Sequence, residues 1–372
     1  MSDVGLDLGI VGTRGIPGNY GGFETFAERL GIGLVNRGHR VTVYCPKSYS
    51  KVDTESYQGI RRILVPNIPS KSLDKLTSAF ASTLLSCFQR HNAVLFLGVS
   101  PVMLGWLPKL FGKGTVINID GVEWRRTKWS WTASAYLKFS EKLSGLVCDR
   151  VVADSREIQR YYKEAYGRDS VYIAYGADVG TTKAPEVLEK YGLAERQYLL
   201  QVCRFEPENN AHIVVREYAK LATDIPLVIL GNAPYADEYI LRVKQSADSR
   251  VRFLGAVYGQ DYDVLRSNAL CYVHAHEVGG TNPALLEALA AGNFVLALDV
   301  PFNTEVVADA GLTFSKTPGD LAAKLTTLLD GGYPVEEMRR RAVQRIEECY
   351  TWERIIEEYE ALLREVVVPR RN

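Results

Sequence analysis

Residues that build metal centres, disulfide frameworks and nucleophilic triads are scarce in this sequence. Its six cysteines stand singly with no C-x-x-C pair, so neither a zinc site nor a disulfide framework is indicated. Its five histidines and six cysteines show no triad-like arrangement, so no protein nucleophile is predicted. A reduced, cytoplasmic setting without a metal or other cofactor fits this composition best.

Long apolar runs are missing as well. No apolar stretch reaches the roughly 20 residues that a membrane-spanning helix needs. The first residues also lack the basic-then-apolar pattern of a leader. We therefore expect any membrane contact to be peripheral.

The absence of net charge hides an asymmetry along the chain. Lys and Arg number 44, as do Asp and Glu, yet residues 1–178 hold 23 basic against 16 acidic residues and the remainder holds 21 against 28. Opposite charge on two halves predicts an anionic surface or ligand for the first half and a less anionic partner for the second. A chance distribution of surface charge is the alternative.

The chain is longer than one ordinary core requires, because it has 372 residues. Buried strands alternate with amphipathic helices in two successive series, which is typical of doubly wound α/β sheets. A mixed, polar stretch from 177 to 197 separates the series. We therefore predict an α/β protein with an N-terminal domain at 1–178, a second domain at 179–350 and a helix at 351–372 long enough to reach back across the first domain.

The first predicted strand runs into a glycine-rich loop. The loop reads GTRGIPGNYGGFE, in which Gly12, Gly15, Gly21 and Gly22 surround Arg14. Ligands of doubly wound sheets bind at the carboxyl ends of strands, so a phosphate or a sugar is one predicted occupant. The order is not G-x-G-x-x-G, which argues against a dinucleotide, and a purely structural glycine turn is the competing interpretation.

A second polar group follows the strand predicted at 115–119, at the same sheet edge. Asp120 and Glu123 are candidates for acid-base or substrate-orienting work, with an internal salt bridge as the alternative. From Trp124 to Lys142, aromatic and basic residues then interleave, which is the composition of a surface that touches lipid headgroups. Buried aromatic residues on a solvated helix would also explain it, and nucleic acid is a third interpretation that the neutral net charge disfavours.

The most unusual stretch spans 274–302, where a polar loop leads into a short apolar helix and then a buried strand. Gly279 and Gly280 allow a ligand to approach the backbone, Pro283 suits the first turn of a helix, and amides at a helix start attract anions. Glu287 lies about one turn into this helix among apolar residues, where a carboxylate needs a partner. A ligand-binding loop and a simple helix cap both fit.

Several blocks of sequence together resemble one family. GTRGIPGNYGGFETF, NIDGVEW, VVADSREIQRYY, RFEPENN, GGTNPALLEALAAG and FNTEVVADAGLTF are similar, in this order, to the retaining GT-B glycosyltransferases of family 4. They are most similar to bacterial polysaccharide rhamnosyltransferases that act on a lipid-linked acceptor. The resemblance implies two Rossmann-like domains facing across a cleft, with the nucleotide-sugar donor held mainly by the second domain and the C-terminal helix packed back on the first.

The resemblance also implies roles for individual residues. Arg204 would neutralise the donor diphosphate, for which a guanidinium is suited, and Glu287 would hydrogen-bond the nucleotide ribose. Asp120 and Glu123 would lie on the acceptor side and, with Arg204, are the candidate catalytic residues. The other donor-binding positions that it implies are Gly12, Arg14, Gly15, Gly21, Gly22, Asn209, Asn210, Gly231, Phe253, Leu254, Glu277, Gly279, Gly280, Thr281 and Asn282.

Two positions depart from the wider family. Its E-x7-E pattern would place a carboxylate at Gly279, whereas the nearest one here is Glu277. Its lysine five residues after the arginine is replaced by Asn209. A 6-deoxy sugar such as L-rhamnose has one hydroxyl fewer to satisfy, which is consistent with the loss of one carboxylate.

The resemblance implies a peripheral glycosyltransferase on the inner face of the cell membrane. It would move L-rhamnose from dTDP-rhamnose to a lipid-linked GlcNAc-diphosphate in the synthesis of cell-surface polysaccharide, lipopolysaccharide or capsule. Enzymes of this type are thought to attack from the front face, with a leaving phosphate oxygen taking the acceptor proton, so no metal is implied. Another donor (UDP-glucose, UDP-GlcNAc or GDP-mannose) and a non-catalytic nucleotide-sugar binding subunit are the alternatives.

Overall fold

The computed structural model of the chain describes residues 5–18, 21–50, 54–69, 74–126, 129–232 and 237–367. The chain divides into two compact units. The first comprises 1–125, 129–175 and 352–372, and the second comprises 126–128 and 176–351. Each unit contains a sheet of mainly parallel strands connected by helices, which confirms the predicted α/β fold class.

An eight-stranded sheet forms the centre of the first unit. Its strands are β1 (Asp7–Val11), β2 (Arg40–Pro46), β3 (Ser56–Tyr57), β4 (Ile60–Val65), β5 (Ala93–Leu97), β6 (Gly114–Asn118), β7 (Arg150–Ala153) and β8 (Val171–Tyr172). They lie in the order β3-β4-β2-β1-β5-β6-β7-β8, and only β3 and β4 pair in an antiparallel manner. The central strand β5, AVLFL, is buried at every position, as expected for a parallel strand covered on both faces.

Five helices of the first unit follow these strands in sequence. They are α1 (Gly22–Asn36), α2 (Asp74–Phe88), α3 (Leu107–Leu110), α4 (Trp131–Val147) and α5 (Arg156–Tyr166). Ser130 and Ser155 cap α4 and α5, because each hydroxyl accepts a hydrogen bond from the backbone amide three residues later. A short 3-10 turn at Val102–Leu104 precedes α3.

The second unit contains a six-stranded sheet whose neighbours all pair in parallel. Its strands are β9 (Leu199–Val202), β10 (Leu227–Leu230), β11 (Val251–Gly255), β12 (Cys271–His274), β13 (Phe294–Leu298) and β14 (Leu312–Phe314). They lie in the order β11-β10-β9-β12-β13-β14. The carboxyl ends of β9, β12 and β14 therefore meet one edge of this sheet.

Among the described residues, eight helices belong to the second unit. They are α6 (Pro185–Lys190), α7 (Ala211–Tyr218), α8 (Asp237–Gln245), α9 (Gly259–Ser267), α10 (Pro283–Ala290), α11 (Pro301–Val307), α12 (Asp320–Leu329) and α13 (Val335–Cys349). None of the helices in the described ranges is long and apolar enough to cross a membrane.

The last helix, α14 (Trp352–Val366), is part of the first unit. It packs against α1 and β6. The Tyr359 ring meets the Phe26 ring edge-on at a centroid distance of 5.0 Å, and Asn118 donates a hydrogen bond of 2.9 Å to the Tyr359 hydroxyl. Buried aromatic and polar contacts thus tie the chain terminus to the first sheet.

Glu360 of α14 makes this attachment sensitive to pH. Burial opposes its ionisation, but hydrogen bonds from His39, Arg37 and Arg364 outweigh burial and lower the pKa of Glu360 to about 2. The carboxylate therefore stabilises the fold above its unfolded-state pKa, and this contribution is lost as the pH falls through the folded-state value.

We expect Glu360→Gln to lower the free energy of unfolding by about 1–2 kcal/mol near pH 7, with a difference from wild type that shrinks as the pH falls from about 5 towards 2. Urea unfolding at a series of pH values measures this difference. Glu358→Gln is the matched control, because Glu358 is a carboxylate of the same helix that pairs with Arg354 one helical turn away. A pH-independent difference would contradict the assignment.

Candidate functional site

Two guanidinium groups share one carboxylate at the carboxyl end of β9. Arg204 follows this strand, its side chain is 39% exposed, and its Nη2 lies 3.8 Å from Glu206 Oε2. Arg126 also belongs to the second unit, and its Nη1 lies 3.6 Å from the same Glu206 oxygen. Two guanidinium groups at the end of one strand form a positive group that suits an anionic ligand.

Glu277 follows β12 and forms an ion pair with Lys316, which follows β14. Asn210 Nδ2 lies 3.5 Å from the same Glu277 oxygen, and the Glu277 amide donates to the Glu208 carbonyl at 3.0 Å. The sequence did not single out Lys316, although it lies just after a parallel strand, where ligands of such sheets bind. The contact between Glu277 and a donor sugar stays a prediction.

The two asparagines predicted to bind a donor are buried and hold the Arg204 loop. Asn209 Nδ2 donates to the Arg204 carbonyl at 2.8 Å. Asn210 adopts a φ of +53° and donates to the Ala275 carbonyl at 2.9 Å. Their side chains therefore position the loops after β9 and β12, and a direct contact of either side chain with a donor stays a prediction.

The carboxylate of Glu287 is held by two side chains of α9. Its Oε2 accepts a hydrogen bond of 2.7 Å from the Tyr262 hydroxyl and lies 3.2 Å from Arg266 Nη1. Its Oε1 has no partner among the described residues, and a quarter of the side chain is exposed. One oxygen is thus fixed and the other is available to accept hydrogen bonds from a diol such as a ribose.

The loop before α10 combines an open glycine with a capped helix start. Gly279 has a φ of +151°, and a Cβ added there would meet nothing within 4 Å. A side chain at 279 would therefore find space but would strain the backbone. Gly280 and Thr281 are buried, and Asn282 caps α10 by accepting a hydrogen bond from the Ala284 amide.

Three further predicted donor positions, Gly231, Phe253 and Leu254, lie at the β10–β11 edge of the sheet. The Gly231 amide donates to the Gly255 carbonyl at 2.7 Å, which joins the ends of β10 and β11. Phe253 and Leu254 are partly exposed on the edge strand β11, and the Phe253 ring lies 6.1 Å from the Phe205 ring. Part of the segment expected to line the base, 233–236, lies outside the described residues.

Two stacked histidines lie beneath the Glu277 loop, with ring centroids 4.4 Å apart. Burial lowers the pKa of His274 to about 3. Burial, together with the charges of Arg204 and Arg126 and the neighbouring His274, also lowers the pKa of His276. Both rings are therefore neutral at pH 7, so positive charge at this edge comes from Arg204, Arg126 and Lys316.

One Asp-x-Asp sequence occurs on α9, at Asp261 and Asp263. Asp261 accepts hydrogen bonds from Lys190 at 2.5 Å and from the Tyr191 hydroxyl at 2.8 Å. Asp263 pairs with Arg266 at 3.1 Å. Both carboxylates are thus engaged by cations of their own unit.

In the first unit, two carboxylates of α1 hold the glycine-rich loop. Glu24 Oε1 accepts a hydrogen bond of 2.7 Å from the Arg14 amide, and Glu28 Oε2 accepts one of 2.6 Å from the Gly18 amide. The Arg14 guanidinium lies 5.0 Å from the centroid of the Tyr49 ring. The sequence analysis missed these two carboxylates, whose signal is their place in the first two turns after the loop.

Close backbone packing explains two of the loop glycines. A Cβ at Gly12 would lie 2.3 Å from the Leu97 carbonyl oxygen, and a Cβ at Gly15 would lie 2.9 Å from the Cys45 side chain. The structural-turn interpretation therefore accounts for both positions. Gly21 caps α1 and Gly22 begins it, and their contact with a ligand stays a prediction.

We expect Gly12→Ala to destabilise the first unit by about 2–3 kcal/mol more than Gly38→Ala, because only the former pushes a methyl group into a backbone carbonyl. Gly38 is a matched control, since its φ of +85° carries a similar backbone penalty while its Cβ position is empty. Urea unfolding of both variants gives the comparison. Equal losses would show that backbone conformation alone requires glycine at position 12.

Asp120 and Glu123 line one small pocket at the carboxyl edge of the first sheet. Asp120 adopts a φ of +57°, and Glu123 Oε1 accepts a hydrogen bond of 3.2 Å from the Trp129 indole. The pocket is lined by Phe23, Lys75, Gly98, Val99, Ser100, Ile119, Asp120, Glu123, Trp129 and Leu137. This lining combines two carboxylates, a lysine and two aromatic rings, and Lys75 was not identified from the sequence.

Two family models match the chain, one for each half. Residues 6–178 match a domain of unknown function, DUF1972. Residues 184–348 match the glycosyl transferases group 1 family, and this range contains Arg204, Glu277 and Glu287.

Two curated relatives illustrate the similarity. The O-antigen chain mannosyltransferase B of Escherichia coli is 29% identical over 143 residues, which cover 37% of each chain. The phosphatidyl-myo-inositol mannosyltransferase of Mycolicibacterium smegmatis is 30% identical over 224 residues, which cover 58% of this chain and 55% of the relative. The matches therefore span between about a third and somewhat over half of these relatives.

Solved structures share the fold over nearly the whole chain. Sucrose-phosphate synthase from Thermosynechococcus elongatus has a TM-score of 0.81 at 18% identity, over 97% of this chain and 98% of that one. Anabaena HepE in complex with UDP has a TM-score of 0.79 at 17% identity, over 97% of this chain and 100% of that one. The chain therefore has a two-unit α/β fold of the GT-B type, and its residues 184–348 match the model of the glycosyl transferases group 1 family.

Proposed function

We propose that this protein is a glycosyltransferase that moves a sugar from a nucleotide-diphosphate donor to a lipid-linked saccharide. The observation that carries the proposal is the arrangement in the second unit, where the positive group around Arg204 and the half-free carboxylate of Glu287 occur within the region matched to group 1 glycosyl transferases. A guanidinium suits the diphosphate and a carboxylate suits the ribose, as the sequence resemblance implies.

The proposed reaction retains the configuration of the sugar. The acceptor hydroxyl attacks the anomeric carbon, the bond from that carbon to the diphosphate oxygen breaks, and the hydroxyl proton passes to the leaving phosphate oxygen on the same face. Arg204, with Arg126 and Lys316 nearby, would stabilise the charge of the leaving diphosphate, so neither a protein nucleophile nor a metal is required.

The specific donor that we propose is dTDP-L-rhamnose, with a lipid-linked GlcNAc-diphosphate as acceptor. The support is the resemblance of the GTRGIP and GGTNP blocks, together with the empty space around Gly279. A 6-deoxy sugar needs one hydrogen-bond partner fewer than a hexose, and glycine at this position supplies no side chain. The product would enter cell-surface polysaccharide, such as lipopolysaccharide or capsule.

A hexose donor such as GDP-mannose is the second candidate. It is favoured by the names of the two relatives, both of which are mannosyltransferases. The Glu277–Lys316 pair is the feature that would serve such a donor, because it could meet the additional hydroxyl.

The acceptor would bind to the first unit. Its pocket brings Asp120 and Glu123 together with Lys75, so a sugar diphosphate would find both hydrogen-bond acceptors and a cation. Because the acceptor is lipid-linked, we place the enzyme at the inner face of the cell membrane as a peripheral protein.

A donor panel tests the proposal. The purified protein is incubated with a lipid-linked GlcNAc-diphosphate and, in turn, dTDP-rhamnose, UDP-glucose, UDP-GlcNAc and GDP-mannose, and the lipid product is identified by mass spectrometry. We expect transfer from dTDP-rhamnose with retained configuration. Transfer from GDP-mannose alone would establish the second candidate, and no transfer from any donor would contradict the proposed function.

A further inference from the structure

Large apolar side chains on α2, α3 and α4 of the first unit lie open to solvent. Phe88, Leu110 and Trp131 are 74%, 73% and 84% exposed, which is unusual for side chains of this size. Together with three neighbours that are about half exposed, they form what we name the apolar face: Phe88, Leu110, Phe111, Trp131, Phe139 and Leu146. Contiguous exposed apolar side chains mark interaction surfaces in folded proteins.

The second unit does not share this feature. Within its described residues, the exposed large apolar side chains are Val179, Leu241 and Tyr258, which stand on separate elements. Scattered residues of this kind need no partner, so the apolar face is a property of the first unit.

Contacts between elements bring the apolar face together. The rings of Phe88, at the end of α2, and Phe111, just after α3, meet edge-on with centroids 5.4 Å apart. Lys109 of α3 pairs at 2.7 Å with Asp149, just after α4. Helices α2 and α3 are therefore neighbours, and the C-terminal end of α4 lies close to α3.

Helix α4 presents a clear apolar stripe. Trp131, Phe139 and Leu146 are spaced by eight and seven residues, which places them on one side of the helix. Lys138 and Lys142 are exposed on the same side of the helix as these apolar residues. This pattern is typical of a helix that lies in the interface of a membrane.

The carboxylate of α4 is turned away from this stripe. Glu141 is buried and accepts hydrogen bonds of 2.8 and 2.9 Å from the hydroxyls of Tyr161 and Tyr166. Asp120 and Glu123 line the pocket of the first unit and are not exposed. Between residues 75 and 147, the exposed charged side chains in the described ranges are all cationic: Arg90, Lys109, Arg125, Lys138 and Lys142.

We propose that the apolar face docks on an anionic lipid bilayer, with its apolar side chains at the boundary of headgroups and acyl chains and its cations at lipid phosphates. Charge decides between a bilayer and a second copy of the chain, because a symmetric dimer would set this cationic surface against itself. The inference deepens the proposed function and rests on its lipid-linked acceptor for the choice of a bilayer over a protein partner.

The same elements that carry the apolar face also line the acceptor pocket. Lys75 of α2 and Leu137 of α4 contribute to the pocket, and Tyr136 of α4 donates a hydrogen bond of 2.8 Å to the Ser100 carbonyl at its rim. Docking through these helices would therefore present the pocket to a saccharide attached to a membrane lipid.

Vesicle flotation of the full chain tests the proposal. We expect the wild-type protein to bind vesicles containing about 30% phosphatidylglycerol at least about tenfold more than vesicles of phosphatidylcholine alone, with binding that weakens as salt is raised. The variant Phe88→Ser, Leu110→Ser, Trp131→Ser should lose binding to the anionic vesicles by about tenfold or more. The matched control Leu241→Ser, Tyr258→Ser in the second unit should bind as wild type does.

Two results would overturn the proposal that the apolar face docks on a bilayer. The first is that the triple variant binds anionic vesicles as well as wild type does. The second is that the wild-type protein binds no vesicles and sediments as a dimer, whereas the triple variant sediments as a monomer. Transfer to a short-chain, water-soluble acceptor is measured in parallel. Vesicle binding without such transfer would refute the proposed function and support docking through the apolar face. Transfer without vesicle binding would support the proposed function and refute the docking.

Discussion

Replacing Arg204 with alanine should lower turnover by about 10²–10³-fold while changing the free energy of unfolding by less than about 0.5 kcal/mol. The side chain is 39% exposed, and its ion pair with Glu206 spans 3.8 Å. Its removal should therefore cost the fold little. The leaving diphosphate, in contrast, would lose a fixed cation at the step in which negative charge develops.

Two variants separate a specific role of Arg204 from a general loss of charge. Arg204→Lys keeps the charge but loses the two-pronged phosphate contact, so its turnover should lie between those of wild type and Arg204→Ala. Arg340→Ala removes an exposed guanidinium from α13 of the same unit and should have no effect. Turnover is measured under saturating donor, and stability by urea unfolding. Undiminished turnover in Arg204→Ala would contradict the assigned role.

Replacing Glu287 should affect both donor binding and stability. In Glu287→Ala, the largely buried Arg266 loses an ion-pair partner at 3.2 Å and Tyr262 loses its hydrogen-bond acceptor. We expect a loss of about 2–4 kcal/mol in the free energy of unfolding, together with an increase of about tenfold or more in the donor KM.

Conservative variants distinguish these two effects. Glu287→Gln keeps a hydrogen-bond acceptor for Tyr262 and should cost about 1 kcal/mol of stability or less, yet it should still raise the donor KM because the ribose loses a charged acceptor. Tyr262→Phe removes the bond to Oε2 and leaves Oε1 unchanged, so its KM should remain close to that of wild type. If the KM changed only in proportion to stability across the three variants, Glu287 would have a purely structural role.

The sequence predicted elements and strand ends better than it predicted partners. The spacing of apolar residues and the local composition predicted a strand before Arg204 and a short helix around Glu287. The structure contains both elements. Neither signal could show that Tyr262 and Arg266 hold Glu287, because those partners lie on another helix and their pairing depends on tertiary packing. The sequence analysis likewise did not identify the hairpin of β3 and β4 or Lys75, whose significance comes from long-range neighbours.

The aromatic and basic stretch from Trp124 to Lys142 shows the same limit. The composition of this stretch predicted a lipid-facing surface. It could not show which aromatic side chains face the protein interior and which face solvent. Trp129 donates to Glu123 and Tyr136 donates to the Ser100 carbonyl, while Trp131 and Phe139 are exposed. The exposed surface that results also includes side chains on and next to α2 and α3, which come before this stretch in the chain.

The backbone conformation of Gly279 decides which substitution best tests for a carboxylate near the donor. Reasoning from the sequence suggests that Gly279→Glu would restore the carboxylate of the wider family. With a φ of +151°, however, that variant would combine a new carboxylate with backbone strain of about 1–3 kcal/mol. Glu277→Gln is the cleaner probe of a carboxylate near the donor, because it leaves the backbone unchanged and alters the side-chain contacts of Glu277 with Lys316 and Asn210.

The central claim is that the chain transfers sugar rather than only binding its nucleotide. The most direct measurement follows nucleoside diphosphate release and glycolipid formation together, in one reaction of the purified protein with dTDP-rhamnose and a lipid-linked GlcNAc-diphosphate. We predict that the two products form in a one-to-one ratio and that both depend on the acceptor. Tight donor binding with neither product formed, across every donor of the panel, would contradict the claim and establish a nucleotide-sugar binding subunit.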